Sequence, residues 1–230
     1  IKHIIFTGGT DTALKIMEMN PRCPISAETG GKNAMILTSS CDRDHAIQNI
    51  LTSAFSNAGQ KCSACSLLIL EKDIYQDETF REKLKDAVLS LHAGSAWEPA
   101  NIVGPMVTNK NDKLLKAFEL EPGEEWLVEP VFADEKQYML KPAVKWGVKV
   151  DSYTFRTELF APLLAVVCME NLEHGIQLVN STEYGLTSGL QSLDEREHAI
   201  WTEKIQAGNL YINRGITGAI VSRQPFGGMK

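Results

Sequence analysis

Long apolar runs are missing from this sequence of 230 residues. The longest, Leu163 to Met169, is the size of a strand, so no integral membrane segment is expected. The opening Ile1-Lys2-His3-Ile4-Ile5-Phe6 has neither the apolar length nor the flanks of a signal peptide. Basic runs are missing too. The chain carries 23 lysines and arginines against 29 aspartates and glutamates, a formal net charge of −6. This balance speaks against nucleic acid and anionic membranes as main partners. Cysteine is scarce: Cys23, Cys41, Cys62, Cys65 and Cys168 form an odd set with irregular spacing. They fit a reduced, cytoplasmic protein better than a disulfide framework. Cys62 and Cys65 have no second Cys-x-x-Cys pair and no clustered histidines to complete a zinc set, so no metal site is expected. Internal repeats and low-complexity segments are absent as well.

What is present is an ordinary globular composition, 43% hydrophobic and 23% charged, with enough chain to bury a substantial core. Strand-like and helix-like segments alternate, which predicts an α/β architecture. Strands are expected at His3–Phe6, Ile25–Ala27, Ala34–Leu37, Leu67–Leu70, Leu163–Cys168, Leu186–Gln191 and Leu210–Ile212. Helical spacing covers Asp11–Met19, Arg43–Phe55, about Asp77–Leu91, Lys113–Phe118, Leu172–Val179 and Glu195–Ile205. Asp42 is placed to cap the second of these helices. Between Trp126 and Val150 the pattern is of short strands broken by Pro130, Pro142 and Gly147.

Three short segments carry possible chemistry. In Gly59-Gln60-Lys61-Cys62-Ser63-Ala64-Cys65 a glycine bend between a helix and a strand sets a thiol where backbone can approach a ligand. A thiolate is a strong nucleophile, favoured by nearby N–H dipoles or a cation such as Lys61. Taken alone, Cys62 reads better as a small buried hydrophobe, as most free cysteines are. In Glu28-Thr29-Gly30-Gly31-Lys32-Asn33 two glycines beside a carboxylate could aim Glu28 at a bound water, or simply form a surface turn. Phe6-Thr7-Gly8-Gly9-Thr10 opens a helix, where backbone N–H groups favour phosphate, but it is not the full dinucleotide fingerprint.

Together these segments resemble the aldehyde dehydrogenase superfamily. The carriers are Glu28-Thr29-Gly30-Gly31-Lys32, Gly59-Gln60-Lys61-Cys62, Glu158-Leu159-Phe160-Ala161-Pro162 and Pro225-Phe226-Gly227-Gly228, matching in content, order and spacing across the chain. The nearer resemblance is to the 1-pyrroline-5-carboxylate dehydrogenase branch, including the dehydrogenase module of bifunctional proline utilisation A proteins. It rests on Glu28 to Ile36, Ser53-Ala54-Phe55, Gly59 to Ala64, Asn213 to Val221 and Arg223 to Gly228. Cys65 stands where a small non-thiol residue is common, Ala161 replaces a usual glycine and Gly9 a frequent serine.

The resemblance implies an aldehyde dehydrogenase-like catalytic domain preceded by the tail of a Rossmann-like NAD-binding domain. The expected divisions are 1–39 for that tail, 40–214 for the catalytic part, and 215–230 for a substrate-anchor loop returning toward the cofactor. It implies Cys62 as nucleophile and Glu28 as the base that activates water. Gly8 and Gly9 would face the NAD pyrophosphate, Thr29 and Gly30 the nicotinamide, and Glu158 the ribose hydroxyls with Phe160 packed nearby. Ser63, Gly218, Ala219 and Phe226 would contact the substrate, L-glutamate γ-semialdehyde. FAD would enter only with a proline dehydrogenase domain elsewhere in a parent chain. The family's second oxyanion donor, an upstream asparagine, has no counterpart here, since Asn33 and Asn57 lie in other motifs. The resemblance therefore also implies a piece of a longer chain, inactive alone and homo-oligomeric when whole. An aldehyde dehydrogenase for another substrate, such as succinate semialdehyde, and a non-catalytic module built on the same fold are the alternatives.

Overall fold

The computed structural model describes residues 1–220 and 222–230; Val221, quoted above at the end of one motif, lies outside the described residues. Nine strands and eight α-helices follow one another among the described residues. The first unit is β1 (Ile4–Thr7), α1 (Thr10–Met19) and β2 (Ile25–Glu28), with β1 and β2 parallel in a two-stranded sheet. Their parallel pairing requires a crossover, which α1 provides. This unit is thinly covered: Ile5 is 86% exposed and Met19 79%.

Thereafter the chain builds a seven-stranded sheet. Its strands are β3 (Asn33–Leu37), β4 (Cys65–Glu71), β5 (Glu125–Val128), β6 (Ala143–Trp146), β7 (Leu163–Met169), β8 (Thr187–Gln191) and β9 (Asn209–Ile212). The order across the sheet is β5-β6-β7-β4-β3-β8-β9, and every pairing is parallel except β5 with β6. β3 lies inside this sheet, so the change from the small sheet to the large one falls between Glu28 and Asn33. The division at residue 39 expected from the sequence cuts just after β3 instead. The reason is visible in its composition: every residue of Asn33–Leu37 is buried, as a strand covered on both faces must be.

The connecting helices are α2 (Arg43–Phe55), α3 (Lys72–Tyr75), α4 (Glu78–Leu89), α5 (Asp112–Phe118), α6 (Tyr153–Arg156), α7 (Leu172–Asn180) and α8 (Glu195–Lys204). Asp42 caps α2 by accepting the His45 N–H, as the sequence predicted. The side chains of β3 alternate between two cores. Met35 and Leu37 pack with Ile47 and Ile50 of α2 and Phe80 and Leu84 of α4. Ala34 and Ile36 pack with Ile176 and Val179 of α7 and Trp201 of α8. This is a three-layer α/β fold. No described helix is long and apolar enough to cross a membrane. Because β3, β4, β7 and β8 run parallel, the segments that lead into them gather at one edge of the sheet. All the motif segments except the helix opening at Gly8-Gly9 lie there or return to it.

Candidate active site

The turn that carries Cys62 is shaped by what precedes it. After α2 the backbone turns through left-handed conformations at Asn57 and Ala58, both at φ 55°, and Gly59 at φ +66°. A Cβ at Gly59 would lie 2.5 Å from the Ala161 carbonyl oxygen, so the position requires glycine. Gln60 then ties this turn to two others: its Nε2 donates to the Phe160 carbonyl at 3.0 Å, and its Oε1 accepts the Val107 N–H at 2.9 Å. Lys61 to Ala64 close a β-turn through Ala64 N–H to Lys61 O at 2.9 Å, with Cys62 and Ser63 at its centre.

Cys62 and Ser63 line a cavity of about 320 Å³ together with Lys61, Thr217, Ala219, Ile220, Gln224 and Phe226. The far wall arrives by a defined route. Asn213, at φ 52°, turns the chain after β9, and the Gln191 side chain holds the Arg214 carbonyl. Ser53 near the end of α2 then accepts the Ile216 N–H at 3.0 Å. Thr217 and Ala219 are thereby delivered to the thiol. Gly218 does not line this cavity; a Cβ there would meet the Arg214 guanidinium at 2.9 Å.

Glu28 sits on the other side. Its charge acts on the Cys62 thiol, and Oε1 lies 3.3 Å from where a Cβ of Gly227 would be. Glu28, Thr29 and Gly30 border a second cavity, of about 290 Å³, with Thr10, Tyr184 and Gly185 among its other walls. Gly8 and Gly9 are exposed at the opening of α1 and do not line it. Beside it the Glu158 carboxylate accepts the Gly31 N–H at 2.8 Å. Gly30 is at φ +120°, and a Cβ on it would lie 2.5 Å from Glu158 Oε2. Phe160, at φ 51°, is exposed.

The electrostatics of the thiol depart from the sequence expectation. Burial pushes the Cys62 pKa up, the N–H groups of Ser63 and Cys62 pull it down, and Glu28 and Glu158 add to the rise. Of the two influences the sequence offered, the backbone N–H groups are the ones that favour the thiolate here. Cys65 is wholly buried and its thiol is pushed up to about 12, so it stays protonated.

Sequence reasoning passed over two residues. Asn33, 3% exposed, donates through Nδ2 to the carbonyls of Cys62 (2.7 Å) and Ala64 (2.9 Å), and its Oδ1 accepts the Thr187 N–H at 3.1 Å. Lys32 is buried, and desolvation draws its pKa down to about 7 against the opposing pull of Glu158 and Cys65. Glu158 is raised by burial and lowered by the Gly31 N–H and Lys32. A polar residue opening an apolar strand, one residue after a pair of glycines, was the available signal for Asn33. Among the described residues no group of three or more His, Cys, Asp and Glu side chains is arranged to hold a metal ion.

The family profile described as "Aldehyde dehydrogenase family" matches residues 1–230. The chain belongs to the aldehyde dehydrogenase family. Among its relatives within that family, the 1-pyrroline-5-carboxylate dehydrogenase of Geobacillus kaustophilus is 33% identical over 99% of this chain and 46% of its own. The chain thus spans about half the length of the curated relatives it matches. Among solved aldehyde dehydrogenase folds, proline utilization A (PutA) from Corynebacterium freiburgense superposes with a TM-score of 0.96 at 43% identity, covering all of this chain and 24% of that one. The 1-pyrroline-5-carboxylate dehydrogenase from Thermus with bound NAD superposes with a TM-score of 0.90 at 32% identity, over all of this chain and 46% of that one.

Proposed function

We propose that this chain carries the thiol and water-activating half of an NAD-dependent oxidation of L-glutamate γ-semialdehyde to L-glutamate. The observation that carries the reading is the pairing of Cys62 and Ser63 on one cavity with Thr217, Ala219 and Phe226, while Glu28 acts on the same thiol from the cofactor side. The names of the relatives, with bound NAD in one of them, support it.

In this mechanism the Cys62 thiolate adds to the aldehyde carbon and gives a thiohemiacetal. Bound NAD would supply the hydride acceptor, leaving a thioester on Cys62. Glu28 takes a proton from water as the oxygen attacks the thioester, and Cys62 leaves as thiolate, so acid and free enzyme result. The chain offers a fitting cofactor cradle: Gly30 has no Cβ to fill the space against the Glu158 carboxylate, and space beside Gly9 is open. Thr29 and Gly30 would hold the nicotinamide end, Glu158 the ribose hydroxyls with Phe160 beside them, and Gly8 and Gly9 the pyrophosphate. Ser63 and the backbone around Gly218-Ala219 would bind the substrate α-carboxylate, and Phe226 its methylenes. The β1–α1–β2 unit is then the cofactor-side piece, the large sheet the catalytic part, and residues from about 215 the substrate anchor. Five free cysteines support a reducing, cytoplasmic setting, and self-association of the full-length protein belongs to the same reading.

The test is a substrate panel on the full-length protein, read as NADH formation. Glutamate semialdehyde should outperform succinate semialdehyde and an uncharged aldehyde in kcat/KM. Ser63→Ala should raise KM for glutamate semialdehyde about tenfold or more, as loss of a hydrogen bond to a charged group (roughly 1.5–3 kcal/mol) requires. Equal effects on charged and uncharged aldehydes would overturn the substrate assignment.

A further inference from the structure

We propose that Asn33 is a positioning residue for the nucleophile: by binding the Cys62 carbonyl it fixes the plane of the Cys62–Ser63 peptide and keeps the Ser63 N–H turned to the Cys62 side chain. This rests on the reading of Cys62 as the reacting thiol. That peptide is the central one of the Lys61–Ala64 β-turn. In a β-turn the central peptide is the unit that can rotate by half a turn, and its two orientations distinguish type I from type II. Type II would need positive φ at Ser63, which is not among the residues with positive φ. The orientation present sends the Cys62 carbonyl away from the cavity and, because C=O and N–H of one planar peptide point in opposite directions, sends the Ser63 N–H the other way.

Two neighbours hold that carbonyl. Asn33 Nδ2 donates to it at 2.7 Å, and a Cβ on Gly31 would lie 2.6 Å from it, so the start of β3 and the segment leading into it press directly on the turn. The asparagine itself is fixed. Its three partners, two carbonyls and one N–H, admit only one orientation of the amide. The Thr187 N–H on β8 thus anchors a side chain that reaches across β3 to the turn before β4. A reversed peptide would present a carbonyl oxygen where the thiolate now has an N–H, an exchange of attraction for repulsion. Glu28 and Glu158 are the charged groups that act on Cys62, and both already disfavour its anion, so beyond the Cys62 N–H itself no other group makes up for loss of the Ser63 N–H.

The experiment measures carbamidomethylation of Cys62 by iodoacetamide in the full-length protein from pH 6 to 10, followed on the Cys62 peptide by mass spectrometry. Asn33→Leu, close in shape and without polar atoms, should react about tenfold more slowly at pH 7.5, and the gap should narrow as the pH rises toward 10 and the thiols ionise. Asn33→Ser, which keeps a hydroxyl donor, should fall between. Turnover should show the loss in kcat with KM for the aldehyde little changed. Leu190→Ala in β8 serves as a control, expected to lower Tm without moving the alkylation profile. Superimposed profiles for folded Asn33→Leu and wild type would overturn the proposal, and if that variant does not fold, the same outcome for Asn33→Ser would do so. A shifted profile in a protein that does not oxidise glutamate semialdehyde would leave the positioning role standing and remove the substrate assignment. Semialdehyde oxidation with an unmoved profile would do the reverse.

Discussion

The two edges of the large sheet are built from similar residues and do opposite things. At the carboxyl ends of β3 and β8 the Glu197 carboxylate accepts hydrogen bonds from Thr38 at 2.6 Å, Ser40 at 3.0 Å and Ser192. Asn213 closes the same corner with bonds to the Ser192 N–H and carbonyl. α2 after β3 and α8 after β8 lie on opposite faces of the sheet. Parallel α/β sheets ordinarily place a ligand crevice at such a reversal, outside the carboxyl ends of the strands. Here that crevice is filled by the protein's own hydroxyls. At the amino ends the polar groups are left short of partners or under burial: Lys32 lowered, Glu158 and Cys62 raised, and Gly30 and Gly59 in conformations that exclude a side chain. One edge spends its polar groups on cohesion and the other keeps them for reaction.

The comparison breaks most sharply if the amino edge proves dispensable. Cys62→Ser in the full-length protein should abolish aldehyde oxidation, because a hydroxyl neither ionises nor leaves as a thiol does. Cys65→Ser, three residues on but buried and protonated, should keep most of the rate. Equal loss in both would point to a dithiol role. A smaller effect belongs to Glu28→Gln. If Glu28 acts only on the thioester, NADH should appear in a burst of about one equivalent. Steady turnover should then fall on the order of 10²-fold, the usual contribution of a general base. Loss of the burst itself, in rapid-mixing absorbance, would place Glu28 earlier in the reaction.

How much of this the sequence revealed follows from how local each signal is. The cap at Asp42, the helix Arg43–Phe55 and the strand beginning at Leu163 depend on neighbours within a few residues, and the structure places them where the pattern does. The motif around Cys62 was legible because glycine marks a close backbone approach, which the Ala161 carbonyl supplies. Asn33 was not, since its partners lie 29, 31 and 154 residues away. Nor was the Glu197 cluster, whose Thr38 contact spans 159 residues. The short helices α3 and α6, four residues each, carry too few positions to show a period. The cost of burying the Cys62 thiol was invisible for the same reason: adjacency to Lys61 can be read from the chain, but desolvation depends on the folded surroundings.

The smallest effect on activity should come from the carboxyl edge, and it sharpens the comparison best. Glu197→Ala removes the acceptor shared by three hydroxyls, of which those of Thr38 and Ser192 belong to residues with no exposure. Stability should drop by about 1.5–3 kcal/mol, the scale of a hydrogen bond to an ionised group, since the hydroxyls still bond one another through Ser40. The thiol lies at the opposite ends of β3 and β4 and shares no hydrogen-bond partner with this cluster, so its environment should be unaffected. Urea denaturation should therefore show a lower midpoint with an unchanged slope. Iodoacetamide reactivity of Cys62 and kcat should stay within about twofold of the wild type when measured well below the transition, because distant sites without shared contacts act independently. A route of communication is the Asn213 turn, through which Ser192 holds the start of the segment that reaches Thr217. A rise in KM for the aldehyde with no change in kcat would show that this turn transmits the loss to the substrate wall. A fall in kcat would show that the two edges are not separate, and the division of labour drawn here would be wrong.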